Sequence, residues 1–159
     1  MSQSDADAKA LRDVEAFGCH VLLISGDEDG PNFCYSIGIE ATSQQPDLLI
    51  LGMRSETAHW IINEYNERVR AGEVFVPNLP YYGFIEGFPV FFSLLGREHY
   101  KKYLGWGRWF YGGNTFRAYQ MIYPTTSGLW PWSKGAPEGY LWAMPLLCPP
   151  PSPLPIGQV

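Results

Sequence analysis

The run His20-Val21-Leu22-Leu23-Ile24-Ser25-Gly26-Asp27-Glu28-Asp29-Gly30-Pro31-Asn32-Phe33-Cys34-Tyr35-Ser36-Ile37-Gly38-Ile39 reads as two strands around a turn. Val21 to Ile24 is continuously apolar, as in a strand buried on both faces, and Gly26 to Pro31 is a cluster of turn formers. Beyond the turn, Phe33, Tyr35, Ile37 and Ile39 alternate with Cys34, Ser36, Gly38 and Glu40, the period of two of a β-strand. The pair is a β-hairpin, and a hairpin near the chain start calls for more strands to cover it.

Upstream, Ser4 is placed to cap a helix through Ala8, Leu11, Val14 and Glu15, with Gly18 as its stop. Downstream, a third strand runs from Leu48 to Gly52 after the loop Gln45-Pro46-Asp47. Ser55 then stands as an N-cap for a helix in which Ala58, Ile61, Ile62, Tyr65 and Val69 recur at helical spacing up to Gly72. The opposite face of that helix holds His59, Asn63, Glu67 and Arg70, with Glu64 and Arg68 spaced as an exposed pair. From Val74 the texture changes to short strands at Val74 to Val76, Tyr82 to Ile85, Phe88 to Leu94 and Ala118 to Tyr123, with a brief helix from Glu98 to Leu104. After Trp142 the chain is rich in proline, which removes backbone donors. The expected organisation is a helical extension over 1–16, one domain over 17–142, and an extended or disordered tail over 143–159. The expected fold class is α+β: a mostly antiparallel central sheet of about six strands covered by one long helix. Short strands punctuated by glycine leave a partly closed, barrel-like arrangement open.

Composition sets the outer bounds. The 159 residues suffice for one domain, and 46% hydrophobic content excludes disorder of the body of the chain. Seventeen glycines and 14 prolines exclude a plain helix bundle. A net charge of −5 and a pI near 5.1 lack the basic footprint of a nucleic-acid binder. No apolar run is long enough to span a membrane, and Asp5 and Asp7 stand where a secretory signal needs base. Three cysteines without a Cys-x-x-Cys pair fit reduced thiols, so the expected location is the cytoplasm.

Little in the chain has the form of a catalytic constellation. Cys34, Ser36 and Gly38 make one face of the second strand small, which admits either the helix beginning near Glu56 or a flat ligand. Neither Cys34 nor Ser36 has an activator within its own segment. His20, His59 and His99 lie in separate elements and show no metal-ligand spacing, and the acidic turn Asp27-Glu28-Asp29-Gly30 lacks the full register of a calcium loop. The aromatics are the stronger signal, because 20 of the 25 fall between Val74 and Trp142. They form either a core of large rings or an aromatic cleft for a planar ligand or a peptide. Tyr111-Gly112-Gly113 and the rigid loop Trp130-Pro131-Trp132 are the places least readily assigned to a core, and Gln120 is an amide inside an apolar strand that needs partners.

Taken in order, eight segments resemble the domain of unknown function (DUF) 4262 family, a largely bacterial group. They are Phe17 to Val21; Gly30 to Ile39; Gln45-Pro46-Asp47-Leu48; Arg68 to Glu73; Glu86 to Val90; Phe110 to Gly113; Gln120 to Pro124; and Gly128 to Trp132. The resemblance covers about residues 17–134. Gln45 departs from the histidine common there, so no role is carried over that needs an imidazole at that position. The resemblance implies one small α+β domain and no reaction. It directs attention to Tyr35, Ser36, Gly38, Tyr111, Gly112, Gly113, Gln120 and Trp132 as candidate ligand-binding residues.

Two functions follow as expectations. The first is a non-catalytic binding or protein-interaction module, with an immunity-like role within its range, since an acidic surface suits a basic partner. The second is a small-molecule or flavin-type binding protein, as an enzyme or otherwise, built on an aromatic cleft. No catalytic residue, metal or particular cofactor is assigned. The partner is a protein or a planar small molecule, with nucleic acid and membrane set aside.

Overall fold

A computed structural model describes residues 2–154. The hairpin forms as read: β1 (His20–Ile24) and β2 (Phe33–Ile37) are antiparallel, with His20 opposite Ile37 and Ile24 opposite Phe33. The third strand is β3 (Asp47–Leu51), followed by β4 (Tyr81–Ile85), β5 (Phe88–Leu94) and β6 (Ala118–Ile122). They form one sheet in the order β1-β2-β3-β6-β5-β4. Neighbours are antiparallel except β3 and β6, which run parallel with Leu48 opposite Tyr119. The sheet is therefore mixed and open, with β1 and β4 as its edges. It does not close into a barrel, because both of its faces are buried under helices and chain, which leaves no interior for a closed sheet to enclose.

Two long helices, not one, cover it. α1 (Gln3–Phe17) begins at Ser2, whose Oγ accepts from the Asp5 amide at 3.2 Å, and ends at Gly18. Its Ala10 and Val14 join the core on one face of the sheet, with Leu22, Tyr35, Leu49 and Ile122. After the one-turn helix α2 (Ile39–Ser43) comes α3 (Ser55–Arg70), with Arg54 rather than Ser55 in the cap position. α3 lays Ala58, Ile61, Ile62 and Tyr65 on the opposite face, against Cys34, Leu48, Ile50 and Phe92. The small side chains of β2 thus admit the helix.

Other boundaries differ for local reasons. Val74 to Val76 is not a strand: Pro77 follows it directly and Pro80 three residues later, Val74 and Val76 face solvent, and Phe75 alone turns inward. The expected helix from Glu98 to Leu104 divides into a 3-10 turn, Arg97–His99, and α4 (Tyr100–Tyr103). A further helix, α5 (Gly105–Tyr111), follows. Its two glycines hide it in the sequence, and at Gly107 a Cβ would lie 2.7 Å from the Phe116 ring. α6 (Glu138–Ala143) leads into irregular chain whose Met144 is buried and whose Leu146, Leu147 and Cys148 pack on the α1 side of the sheet. Met1 of the expected extension and residues 155–159 of the expected tail lie outside the described residues.

Candidate functional site

Three of the eight candidate residues, Ser36, Gly38 and Tyr111, meet at one buried carboxylate that in the sequence lies in the loop before the third strand. Asp47 opens β3 and is 1% exposed. Its Oδ1 accepts from Ser36 Oγ at 2.7 Å and from the Ile39 amide at 2.9 Å; its Oδ2 accepts from Tyr111 Oη at 2.6 Å and from the Glu40 amide at 3.3 Å. Ser36 Oγ in turn accepts from the Leu48 amide at 3.0 Å. The Tyr111 oxygen accepts from the amides of Gly38 at 3.0 Å and Ala41 at 3.3 Å. Asp47 therefore ties the end of β2, the start of α2, the start of β3 and the end of α5 into one knot. Burial lifts its carboxyl to about 6, against the pull of these donors. Burial and the Asp47 charge together push the Tyr111 phenol well above its usual range.

Gly38 is in the knot because of its backbone. It has φ +100°, and a Cβ there would lie 2.8 Å from both Val14 methyls. Gly112 caps α5 in the left-handed region, and the Gly113 amide donates to Arg108 O at 2.9 Å. The Tyr111 ring stacks on Phe116 with centroids 4.5 Å apart, and Phe110 meets it edge-on. Over the knot's rim, Arg117 forks onto both carboxylate oxygens of Glu40 at 2.7 Å each, which holds Glu40 below its usual range.

The other candidates stand apart from it. Tyr35 accepts from the Trp106 amide at 2.9 Å, at the start of α5, and burial pushes its phenol up to about 12. Gln120 is fully buried and holds the segment after α6: its Nε2 donates to Pro145 O and its Oε1 accepts from the Leu147 amide, each at 2.8 Å. Trp132 stacks parallel on buried Trp130 with centroids 5.5 Å apart, and its Nε1 has no hydrogen-bond partner. The three thiols are free, and burial raises Cys19 to about 12 and Cys34 and Cys148 to about 11, so each stays protonated at neutral pH.

An exposed aromatic site lies elsewhere and was not anticipated. Trp60 on α3 is 55% exposed and Tyr82 on edge strand β4 is 63% exposed. They flank a groove of about 540 Å³ with Gly83, Phe84, Ile85 and Glu86. Glu56 and Glu64 stand one turn before and after Trp60 on α3. Arg68 beneath the groove is already paired: its guanidinium forks onto Glu73 at 2.8 and 2.6 Å and donates to Tyr82 O at 2.9 Å. The sequence carried a signal for this site, because Trp60 is a large ring on the polar face of an amphipathic helix.

Fold and site together define a small α+β protein with a mixed, open sheet, a buried polar knot and an exposed acidic–aromatic groove. The chain belongs to the family described as Domain of unknown function (DUF4262), whose model matches residues 13–137. No curated protein and no solved structure matches it. Among the described residues, no helix is long and apolar enough to cross a membrane, and no group of three or more His, Cys, Asp or Glu side chains is arranged to hold a metal ion.

Proposed function

We propose that the protein is a non-catalytic interaction module of the cytoplasm that docks a basic segment of a partner protein in the Trp60–Tyr82 groove. An acidic protein that masks a basic partner in this way would act as an immunity factor does. The observation that carries the reading is two exposed rings, Trp60 and Tyr82, with Glu86 in the groove between them and with Glu64 and Glu56, the latter 3.8 Å from Arg54, one turn either side of Trp60 on α3. A lysine or arginine side chain over Trp60 gains a cation–π contact of about 0.5–1 kcal/mol at such an exposed site. The carboxylates steer it there and set its orientation, in keeping with the net charge of −5. β4 is an edge strand, and its outward backbone groups other than the Tyr82 carbonyl taken by Arg68 suit pairing with an extended segment. The buried, protonated thiols and the engagement of Ser36 with Asp47 support a role without a nucleophile.

The test is a titration of the ¹⁵N-labelled protein with a blocked, alternating lysine–leucine pentapeptide and with its glutamate–leucine counterpart. The indole N–H resonance of Trp60, assigned with Trp60→Phe, should move with the lysine peptide alone. Raising salt from about 50 to 500 mM should weaken that response, since the Debye length falls several-fold. Equal shifts with the glutamate peptide, or unchanged lysine-peptide affinity in Trp60→Ala, would overturn the proposal. So would concentration-dependent self-association through this groove, which would make the occupant a second copy of the chain.

A further inference from the structure

The loop after α5 holds two of the expected ligand-binding residues, Gly112 and Gly113, that the Trp60–Tyr82 groove does not use. A Cβ at either glycine would meet nothing within 4 Å, so the backbone there stands open on that side. At the next residue, Asn114, two arginines from different elements meet. Arg97, in the 3-10 turn before α4, donates from Nε to Asn114 O at 2.7 Å, and Arg108, on α5, donates from Nε to Asn114 Oδ1 at 2.8 Å. The second bond fixes the amide orientation, because a guanidinium donates only and so must face the oxygen.

Each guanidinium is thus anchored through Nε alone and keeps all of its terminal N–H groups. Among the described residues these groups make no hydrogen bond and no ion pair, whereas Arg54, Arg68 and Arg117 each stand against a glutamate. The carboxylate next to Arg97 in the chain, Glu98, lies 3.5 Å from His99 Nε2. Glu40 is already forked by Arg117, three residues beyond Asn114. The chain has 16 acidic residues to 11 basic ones, yet it fastens two like charges to one residue and gives neither a counter-ion. Arg97 is exposed and Arg108 half-buried, so both are open to a ligand from solvent.

We infer that Arg97 and Arg108 form a binding site for a phosphate group, beside the open backbone of Gly112 and Gly113. A guanidinium presents parallel N–H donors that match the oxygens of a carboxylate or a phosphate. One fork fills a carboxylate. A phosphate monoester offers three oxygens and a charge of about −1.5 to −2 at neutral pH, enough to serve two forks. Asn114 is the positioning residue, since it holds both side chains in place before a ligand arrives.

The test titrates the ¹⁵N-labelled full chain with inorganic phosphate, glycerol phosphate and acetate at constant ionic strength. It follows the Nε–H resonances of Arg97 and Arg108, assigned with Arg97→Lys and Arg108→Lys. Phosphate should bind saturably with a Kd of about 1 mM or tighter, and acetate at least about tenfold more weakly. Glycerol phosphate that binds as tightly as inorganic phosphate assigns the site to phosphomonoesters, and a preference for inorganic phosphate assigns it to the free ion. Arg97→Gln, at an exposed position, and Arg108→Gln should each weaken binding at least about tenfold, the scale of one lost charge-assisted hydrogen bond. The lysine variants keep the charge without the fork and should restore only part of the loss. Trp60→Ala should leave phosphate binding unchanged, and Arg97→Gln should leave the lysine-peptide response of Trp60 unchanged, so this site and the groove fail separately. Should Arg108→Gln fail to fold, Arg97→Gln and the acetate comparison still decide the matter. The inference is overturned if neither phosphate approaches saturation by about 20 mM, if acetate binds as well as phosphate, or if Arg97→Gln binds like the wild type, which would leave the two Nε bonds as a fastening of the loop alone.

Discussion

Asp47→Asn should change the pH dependence of stability more distinctively than stability itself. Asparagine keeps an oxygen for Ser36 Oγ and the Ile39 amide, but turns an NH₂ toward Tyr111 Oη and the Glu40 amide. That sets a constant offset. The slope comes from the carboxyl, which titrates at about 6 in the fold and at its ordinary 3.8 in the unfolded chain. With the folded value raised, Asp47's contribution is complete below pH 3.8 and is lost as pH rises through about 6. At about 1.4 kcal/mol per pH unit, that interval withdraws about 3 kcal/mol from the wild type and nothing from the variant. Asp13, Glu40 and Glu73, held low by their partners, act in the opposite sense but are common to both proteins and cancel in the difference. Urea unfolding of both proteins at pH 4, 5, 6 and 7 measures it. Between pH 4, where the unfolded carboxyl is already partly ionised, and pH 7, the wild type should lose about 2.4 kcal/mol of that total relative to Asp47→Asn. Parallel curves would show that the carboxyl is not displaced, and a wild type that gains on the variant would show that the four donors outweigh burial.

Gln120→Leu should release the chain after α6 by removing the partners of Pro145 O and the Leu147 amide. Hydrogen exchange at Leu147 should rise at least about tenfold and the protein should lose about 1–3 kcal/mol, the scale of one or two buried hydrogen bonds. Gly38→Ala should cost at least about 2 kcal/mol in thermal unfolding, since the residue has φ +100° and the new Cβ meets two Val14 methyls at 2.8 Å. Adding Val14→Ala removes the clash but not the backbone strain, so the double variant should be less destabilised than the sum of the two single ones.

The elements that could be read in advance are those whose pattern arises from their own residues. Val21 to Ile24, the alternation from Phe33 and the stripe of Ala58, Ile61, Ile62 and Tyr65 each bury one side or two against a neighbour, and each formed within a residue or two of the expected place. α5 was hidden because Gly105 and Gly107 lower helix propensity, and the reason for Gly107 is a contact with Phe116 that no local pattern records. The parallel pairing of β3 with β6 joins segments far apart in the chain, so the mixed character of the sheet had no local sign. Asp47 was illegible for the same reason. Its donors come from Ser36, Ile39, Glu40 and Tyr111, and only the fold brings Tyr111 within 2.6 Å.

The polar residues buried in the sheet share one property, which separates fold from function. Ser36 and Asp47 fasten α2 and α5 to the end of β2 and β3, and Gln120 fastens the chain after α6 to β6. Each satisfies backbone groups that would otherwise be buried without partners, so the fold accounts for them without a ligand. Trp60 and Tyr82 satisfy nothing in the fold: their rings stand more than half in water, beside carboxylates that gain little from them. Large rings that the architecture leaves in water are better guides to binding than the polar groups it uses, and here they point to the groove between α3 and β4.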